Sequence, residues 1–306
     1  MNRLKSSFSI LLASLLASGC NPSTSVKQKQ AMAIDNPKGM VGLKRRIGVV
    51  DFENKTTYGA NRLGTSASDI LITELAKSGK FIVVERDKLG KLMEEQKLGM
   101  SGAIDPNTAA KMGKILGLNA IVTGAISQFG ETTEGSQYLL TQSKRQQVKA
   151  TVDIRVVDVE TGQILYADSG AGLASKSTGG VLGLGTRAGY DETLEGEALR
   201  AAIVKFVNNI VDQVGKKPWS CRVADADGTS VYLNAGSDSG LPIGTKLSVF
   251  KIGRAIKDPT SGQVIGNTEE KGADIKVARY FGDDGSVADL TSGPLPSPGD
   301  IVRLRE

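Results

Sequence analysis

One short stretch constrains the fold of this 306-residue chain more than any other. Val148, Ala150, Val152, Ile154 and Val156 alternate with Lys149, Thr151, Asp153 and Arg155. Successive side chains of a strand point to opposite faces, so the run Val148 to Val159 predicts a strand with one face in a core and the other in water. Glu160-Thr161-Gly162 then supplies turn chemistry, and Gln163 to Ala174 returns as a second strand.

The flanking sequence alternates between strands and helices. Strands are predicted at Arg46 to Phe52, Lys80 to Glu85 and Asn119 to Phe129. Ser66 opens a helix, with Asp69 three residues on in the manner of a capping box, and Ile70, Leu71 and Leu75 form its apolar face. Asp87 caps a second helix carrying Leu89, Leu92 and Met93. Asp105-Pro106 begins a third, with proline in the first turn, and it ends at Gly117. A glycine-rich stretch, Ser175 to Gly189, precedes a long amphipathic helix from about Thr193 to Val214 with the stripe Leu199, Ile203, Phe206, Val207, Ile210 and Val214. The fold class is therefore α/β, a mixed sheet with flanking helices. Gly215-Lys216-Lys217-Pro218 reads as a linker. Beyond Cys221 the pattern changes to short strands at Ser230–Leu233, Lys246–Lys251, Ala273–Tyr280, Ser286–Leu290 and Asp300–Leu304, with turn chemistry at Asp258 to Gly262. That spacing predicts a small all-β barrel or sandwich.

The N-terminus reads as an export signal. Arg3 and Lys5 precede an apolar run from Phe8 to Ala17, which ends in Ala17-Ser18-Gly19-Cys20. The run falls short of the roughly 20 apolar residues of a spanning helix. Small residues before a cysteine predict cleavage there and acylation of Cys20; the alternative is an ordinary signal peptide with an incidental cysteine. Asn21 and Pro22 follow with no aspartate, which by analogy with lipoprotein sorting points to the outer membrane, facing the periplasm. The expected organisation is a signal peptide over 1–19, a polar tether over 20–44, an αβ domain over 45–215 and a β-rich domain over 216–306.

Composition narrows the chemistry. The formal charge is +5, and loss of Arg3 and Lys5 with the leader leaves +3. No basic run is dense enough to suggest nucleic acid. The chain has no histidine, which excludes a Ser-His-Asp or Cys-His site and the commonest metal ligand. Cys221 has no disulfide partner once Cys20 carries lipid, and no histidine to activate it. Gly183 to Gly189 lacks the GK[ST] of a phosphate loop. Asp283-Asp284 and Glu94-Glu95 read as solvated surface. The expectation is no enzyme, no metal and no cofactor beyond the lipid on Cys20.

The αβ region resembles the CsgG family of curli secretion proteins. The residues that carry the resemblance are Ser68 to Leu75, Phe81-Ile82-Val83-Val84-Glu85-Arg86 with Leu89 and Leu92, Ala120 to Gly124, Ile154 to Val159, and Thr161 to Leu165. The β-rich region resembles the C-terminal domain of FlgT-type flagellar proteins through Val231 to Gly236, Gly240 to Gly244, Asp258 to Gly262, Ile265-Gly266 and Gly299 to Val302. What the first resemblance implies is an outer-membrane lipoprotein that assembles as a homo-oligomeric ring and takes part in secretion or assembly of extracellular fibre subunits. It also implies two membrane hairpins per subunit and a loop that constricts the pore.

The hairpins would fall at 124–157 and 165–194, with Tyr138, Leu139, Leu140, Val181, Leu182 and Leu184 as their apolar residues. Lys144-Arg145 interrupts the first, and small residues dominate the second. The constriction loop would fall at Glu53 to Thr65, where Tyr58 and Asn61 occupy the nearest places. Two functions follow: a secretion ring, or a periplasmic adaptor lipoprotein of an envelope or flagellar complex without a pore.

Overall fold

The structure, a computed structural model, describes residues 42–84, 108, 113–138, 141–181, 192–260, 262 and 264–305. Cys20, the predicted leader, the tether as far as 41, the helix read after Asp87, and Leu139, Leu140, Leu182 and Leu184 lie outside the described residues.

The first sheet has the strand order β3-β1-β4-β5-β6. Strand β1 (Arg45–Val49) lies parallel to both β3 (Phe81–Val84) and β4 (Ala120–Tyr138). A two-residue strand, β2 (Glu53–Asn54), pairs with β4 alongside Ala125 and Ile126. Strands β4, β5 (Thr141–Asp158) and β6 (Ile164–Val181) form an antiparallel meander. The predicted alternation is the inner part of β5: Val148, Ala150, Val152, Ile154 and Val156 are each at most 1% exposed, while Lys149 and Arg155 are exposed.

Two helices cover that inward face. Helix α1 (Ala60–Lys77) contributes Leu63, Ala67, Ile70, Leu71 and Leu75, and α2 (Thr193–Gly215) contributes Leu199, Ile203, Phe206, Ile210 and Val214. Burying a side chain such as Phe206 is worth about 2–3 kcal/mol. Gly170 and Gly172 let α2 settle directly on β6. A Cβ there would stand 2.3 Å from the Ala202 carbonyl oxygen and 1.9 Å from that of Ala198, respectively. The opposite face of the sheet carries a smaller cluster, Val50, Val84, Leu118, Ile121, Val157 and Val159.

The start of α1 differs from expectation. Ser66 and Asp69 lie inside the helix, which begins behind Gly59 at φ 65, a left-handed conformation that glycine adopts without steric cost. The Asn54 amide donates to the carbonyls of Tyr58 and Ala60 and holds that turn closed. Ser68 is buried and donates to the Thr65 carbonyl at 2.8 Å, so its hydroxyl is satisfied within the helix. The segment read as a single loop, Glu53 to Thr65, therefore holds a strand, a short turn and the first helical residues.

From Ser220 onward six strands close into a barrel in the order β10-β11-β8-β7-β12-β9. They are β7 (Ser220–Asp227), β8 (Ser230–Leu233), β9 (Lys246–Lys257), β10 (Val264–Phe281), β11 (Gly285–Ser292) and β12 (Ile301–Leu304). The interior includes Trp219, Cys221, Val223, Leu233, Leu247, Val249, Ile275 and Val302. Cys221 is a buried free thiol. Burial, with Asp284 nearby, pushes its pKa up and suppresses the reactive thiolate.

Candidate functional site

The most distinctive surface is the far end of the meander. Apolar burial under α2 reaches Val148 on β5 and Ala174 on β6, and the polar Gln146 one step further out on β5 is buried as well. Beyond them β4, β5 and β6 continue, still fully paired, to Tyr138, Thr141 and Val181. That overhang is about 8 residues per strand, roughly 25 Å at the rise of a β-strand. Its sequence is polar on both faces. One row of β4 reads Thr132, Glu134, Ser136 and Tyr138; the other reads Glu131, Thr133, Gly135 and Gln137. On β5 the rows are Ser143, Arg145 and Gln147 against Gln142, Lys144 and Gln146. A membrane strand needs about 9–11 residues with one apolar row facing lipid. No row of the described overhang meets that requirement. From Gln128 to Tyr138, β4 also has a neighbour on one side only among the described residues.

The predicted hairpin residues gather at this end. Tyr138 closes β4 opposite Thr141, and Thr141 pairs in turn with Val181. The backbone thus brings Tyr138 and Val181 to the tip of one three-stranded ribbon. Residues 165–181 of the expected second hairpin lie in β6, one strand of this ribbon, and residues 182–191 of that hairpin lie outside the described residues.

The predicted constriction residues sit elsewhere. Tyr58 is 43% exposed and leans on Phe129 of β4, with ring centroids 5.5 Å apart. Asn61 is exposed in the first turn of α1. The two share one short turn beside the base of the ribbon, where Tyr58 meets Phe129 of β4. Among the described residues no group of three or more His, Cys, Asp or Glu converges as a metal site, and none of their helices is long and apolar enough to cross a membrane.

A family model described as "Curli production assembly/transport component CsgG" matches residues 27–236. The chain belongs to the CsgG family. Among curated relatives, a Neisseria meningitidis serogroup B protein described as "Putative lipoprotein NMB1126/NMB1164" is 33% identical over 188 residues, covering 58% of this chain and 80% of that protein. The curli production assembly/transport component CsgG of Salmonella typhimurium is 28% identical over 182 residues, covering 51% of this chain and 66% of its own. Among solved structures, lipoprotein GNA1162 from Neisseria meningitidis aligns with a TM-score of 0.34 at 18% identity, over 56% of this chain and 99% of that one. The LpoB C-terminal domain from Escherichia coli aligns with a TM-score of 0.31 at 17% identity, over 48% and 94%.

The CsgG match ends just past β8, so β9–β12 lie beyond it. The barrel is nevertheless tied closely to the CsgG-family sheet. Arg46 of β1 donates to the Asn234 carbonyl at 3.0 Å and faces Asp284 at 3.4 Å. The Asp284 carboxylate also accepts from the backbone of Gly236 and Ser239 and from the Ser239 hydroxyl. Asn119 bridges the two parts: its carbonyl accepts from the Arg46 backbone and its amide donates to the Ser220 carbonyl. Trp219 donates its indole N–H to the Lys44 carbonyl at 3.0 Å, and Leu43 packs against the barrel core.

Proposed function

We propose that this CsgG-family chain is a lipoprotein of the bacterial envelope, anchored to the outer membrane through lipid on Cys20 and facing the periplasm. It assembles with copies of itself into a ring and gathers secreted or periplasmic protein subunits by contact, without chemistry. The observation that carries this reading is the overhanging β4–β6 ribbon: paired throughout, polar on both faces and suited to water. Side by side, such ribbons line a hydrated lumen, and a head-to-tail contact that closes on itself yields a ring. One relative described as a lipoprotein, and the family description as an assembly and transport component, support the same reading.

A second reading is a transmembrane pore for extracellular fibre subunits. The family description favours it, as does the gathering of Tyr138 and Val181 at the ribbon tip. Purification of the lipidated chain in detergent tests both. The first reading expects a large ring that carries no ion current across a planar bilayer, together with release of the Cys20→Ala variant into the soluble fraction. A conducting ring decides for the pore; a monomer in detergent sinks both.

A further inference from the structure

We infer that a cavity between the C-terminal end of α2 and the barrel binds a small oxyanion, a phosphate or a carboxylate. The cavity has a volume of about 60 Å³, which is room for several waters or one such group. Arg45 of β1, Lys217 of the linker and Arg303 of β12 line it, against Glu160 as the one carboxylate in the lining.

The cations differ in how they are satisfied. Arg303 holds Glu269 through two bonds, at 2.5 and 2.7 Å, and lies 5.3 Å above the Phe250 ring. Lys217 is bound to Asp158 and stands 4.0 Å from Glu160, which Arg222 shares at 3.8 Å. Arg45 has no carboxylate at ion-pair distance among the described residues. One of its terminal nitrogens donates to the carbonyls of Gly215 and Lys217, while its Nε is buried with no hydrogen-bond partner. Burial also lowers its pKa from the ordinary value, as expected of a desolvated cation with no counter-ion.

Ser220 adds a second donor. Its hydroxyl oxygen accepts from the Asn119 amide at 3.3 Å, which leaves the hydroxyl hydrogen free to turn towards the cavity it lines. A guanidinium N–H, a second guanidinium and a hydroxyl in one small cavity match the acceptor-only chemistry of an oxyanion. Water in the cavity leaves the Arg45 charge unbalanced. An oxyanion supplies the counter-charge that Arg45 lacks, and it clamps the barrel to the sheet because Arg45 and Arg303 belong to different parts of the fold.

The test is titration of the full mature chain with inorganic phosphate at ionic strength held constant by chloride, read by thermal unfolding and by 31P line broadening. The expected result is saturable binding with an upward shift in unfolding temperature of roughly 5 °C. Affinity should fall at least about tenfold in Arg45→Met and in Ser220→Ala, the scale of losing one charge-assisted bond. Arg45 also holds the end of α2, so Ser220→Ala and Arg303→Lys carry the comparison if Arg45→Met does not fold. Displacement of phosphate by acetate identifies a carboxylate as an acceptable source; no displacement restricts the site to phosphate. A wild type that does not saturate, or variants that bind phosphate as the wild type does, overturns the proposal.

Discussion

The inner and outer halves of β4, β5 and β6 are one continuous set of strands with two different chemistries. In the inner half, every second residue of β5 is sealed beneath α1 and α2, and glycines on β6 admit the α2 backbone. In the outer half the hydrogen-bond ladder is unbroken, yet Glu131, Thr132, Thr133, Glu134 and Gly135 are all exposed. Register there rests on continuity with the inner half, because a ribbon polar on both faces specifies its own register weakly. The inner half supplies folding energy. The outer half is held out as a surface, and a polar ribbon of that length matches a contact in water better than a lipid wall.

The contrast predicts a steep gradient in mutational cost. Phe206→Ala removes a fully buried ring from the inner half and should cost about 3–5 kcal/mol. Thr133→Ala in the outer half should change stability by less than about 0.5 kcal/mol. Urea unfolding of the mature chain measures both; similar costs would mean the outer ribbon is buried within the monomer. Glycines give a sharper version, because the sign should reverse. Gly172→Ala drives a Cβ to 1.9 Å from the Ala198 carbonyl oxygen and 2.6 Å from the Ala202 nitrogen, backbone atoms that cannot step aside. It should destabilise by about 1–3 kcal/mol or more. At Gly135 the nearest atom, the Ser143 carbonyl oxygen, lies 3.9 Å away. Gly135→Ala should therefore stabilise, by about 0.5 kcal/mol, through a less flexible unfolded chain.

Legibility in the sequence follows the same division. The inner half of β5 and helix α2 could be read because one-sided burial imposes a period, 2 or 3.6, on neighbouring residues. The start of α1 could not: Ser66 and Asp69 mimic a capping box, whereas the true start depends on the left-handed Gly59 and on Asn54 reaching across the turn. Strand β7 was passed over because Cys221 and Val223 are its only fully buried residues, too few to set a pattern. The outer parts of β4 and β5 carry no period at all, so their extension to Tyr138 and back from Thr141 was legible only through the family resemblance, which implied a hairpin over 124–157. Of the predicted site residues, Tyr58 and Asn61 do lie together, but at the base of the ribbon, while Tyr138 and Val181 are at its tip. The oxyanion cavity left no local trace, since Arg45, Glu160, Lys217 and Arg303 come from four distant segments that only the docking of barrel on sheet brings together.

A single charge reversal separates a ribbon that works in the monomer from one that works in an assembly. Glu134 lies opposite Arg145 in the ladder, and the next pair places Lys144 opposite Gly135. Glu134→Lys therefore sets like charges across the strands, a change worth about 0.2–1 kcal/mol at an exposed pair. Both residues are exposed, so the loss should fade as salt rises to about 1 M, where the screening length is about 3 Å. Folding of the monomer should thus barely register the substitution at high salt. If ribbons of neighbouring copies stand together around a lumen, the same substitution repeats in every copy, and the repulsion falls on association instead. Sedimentation of Glu134→Lys at low and high salt should then show a ring that weakens at low salt and recovers at high salt, with the monomer folded in both. A ring indifferent to salt would place the outer ribbon away from the contacts between copies.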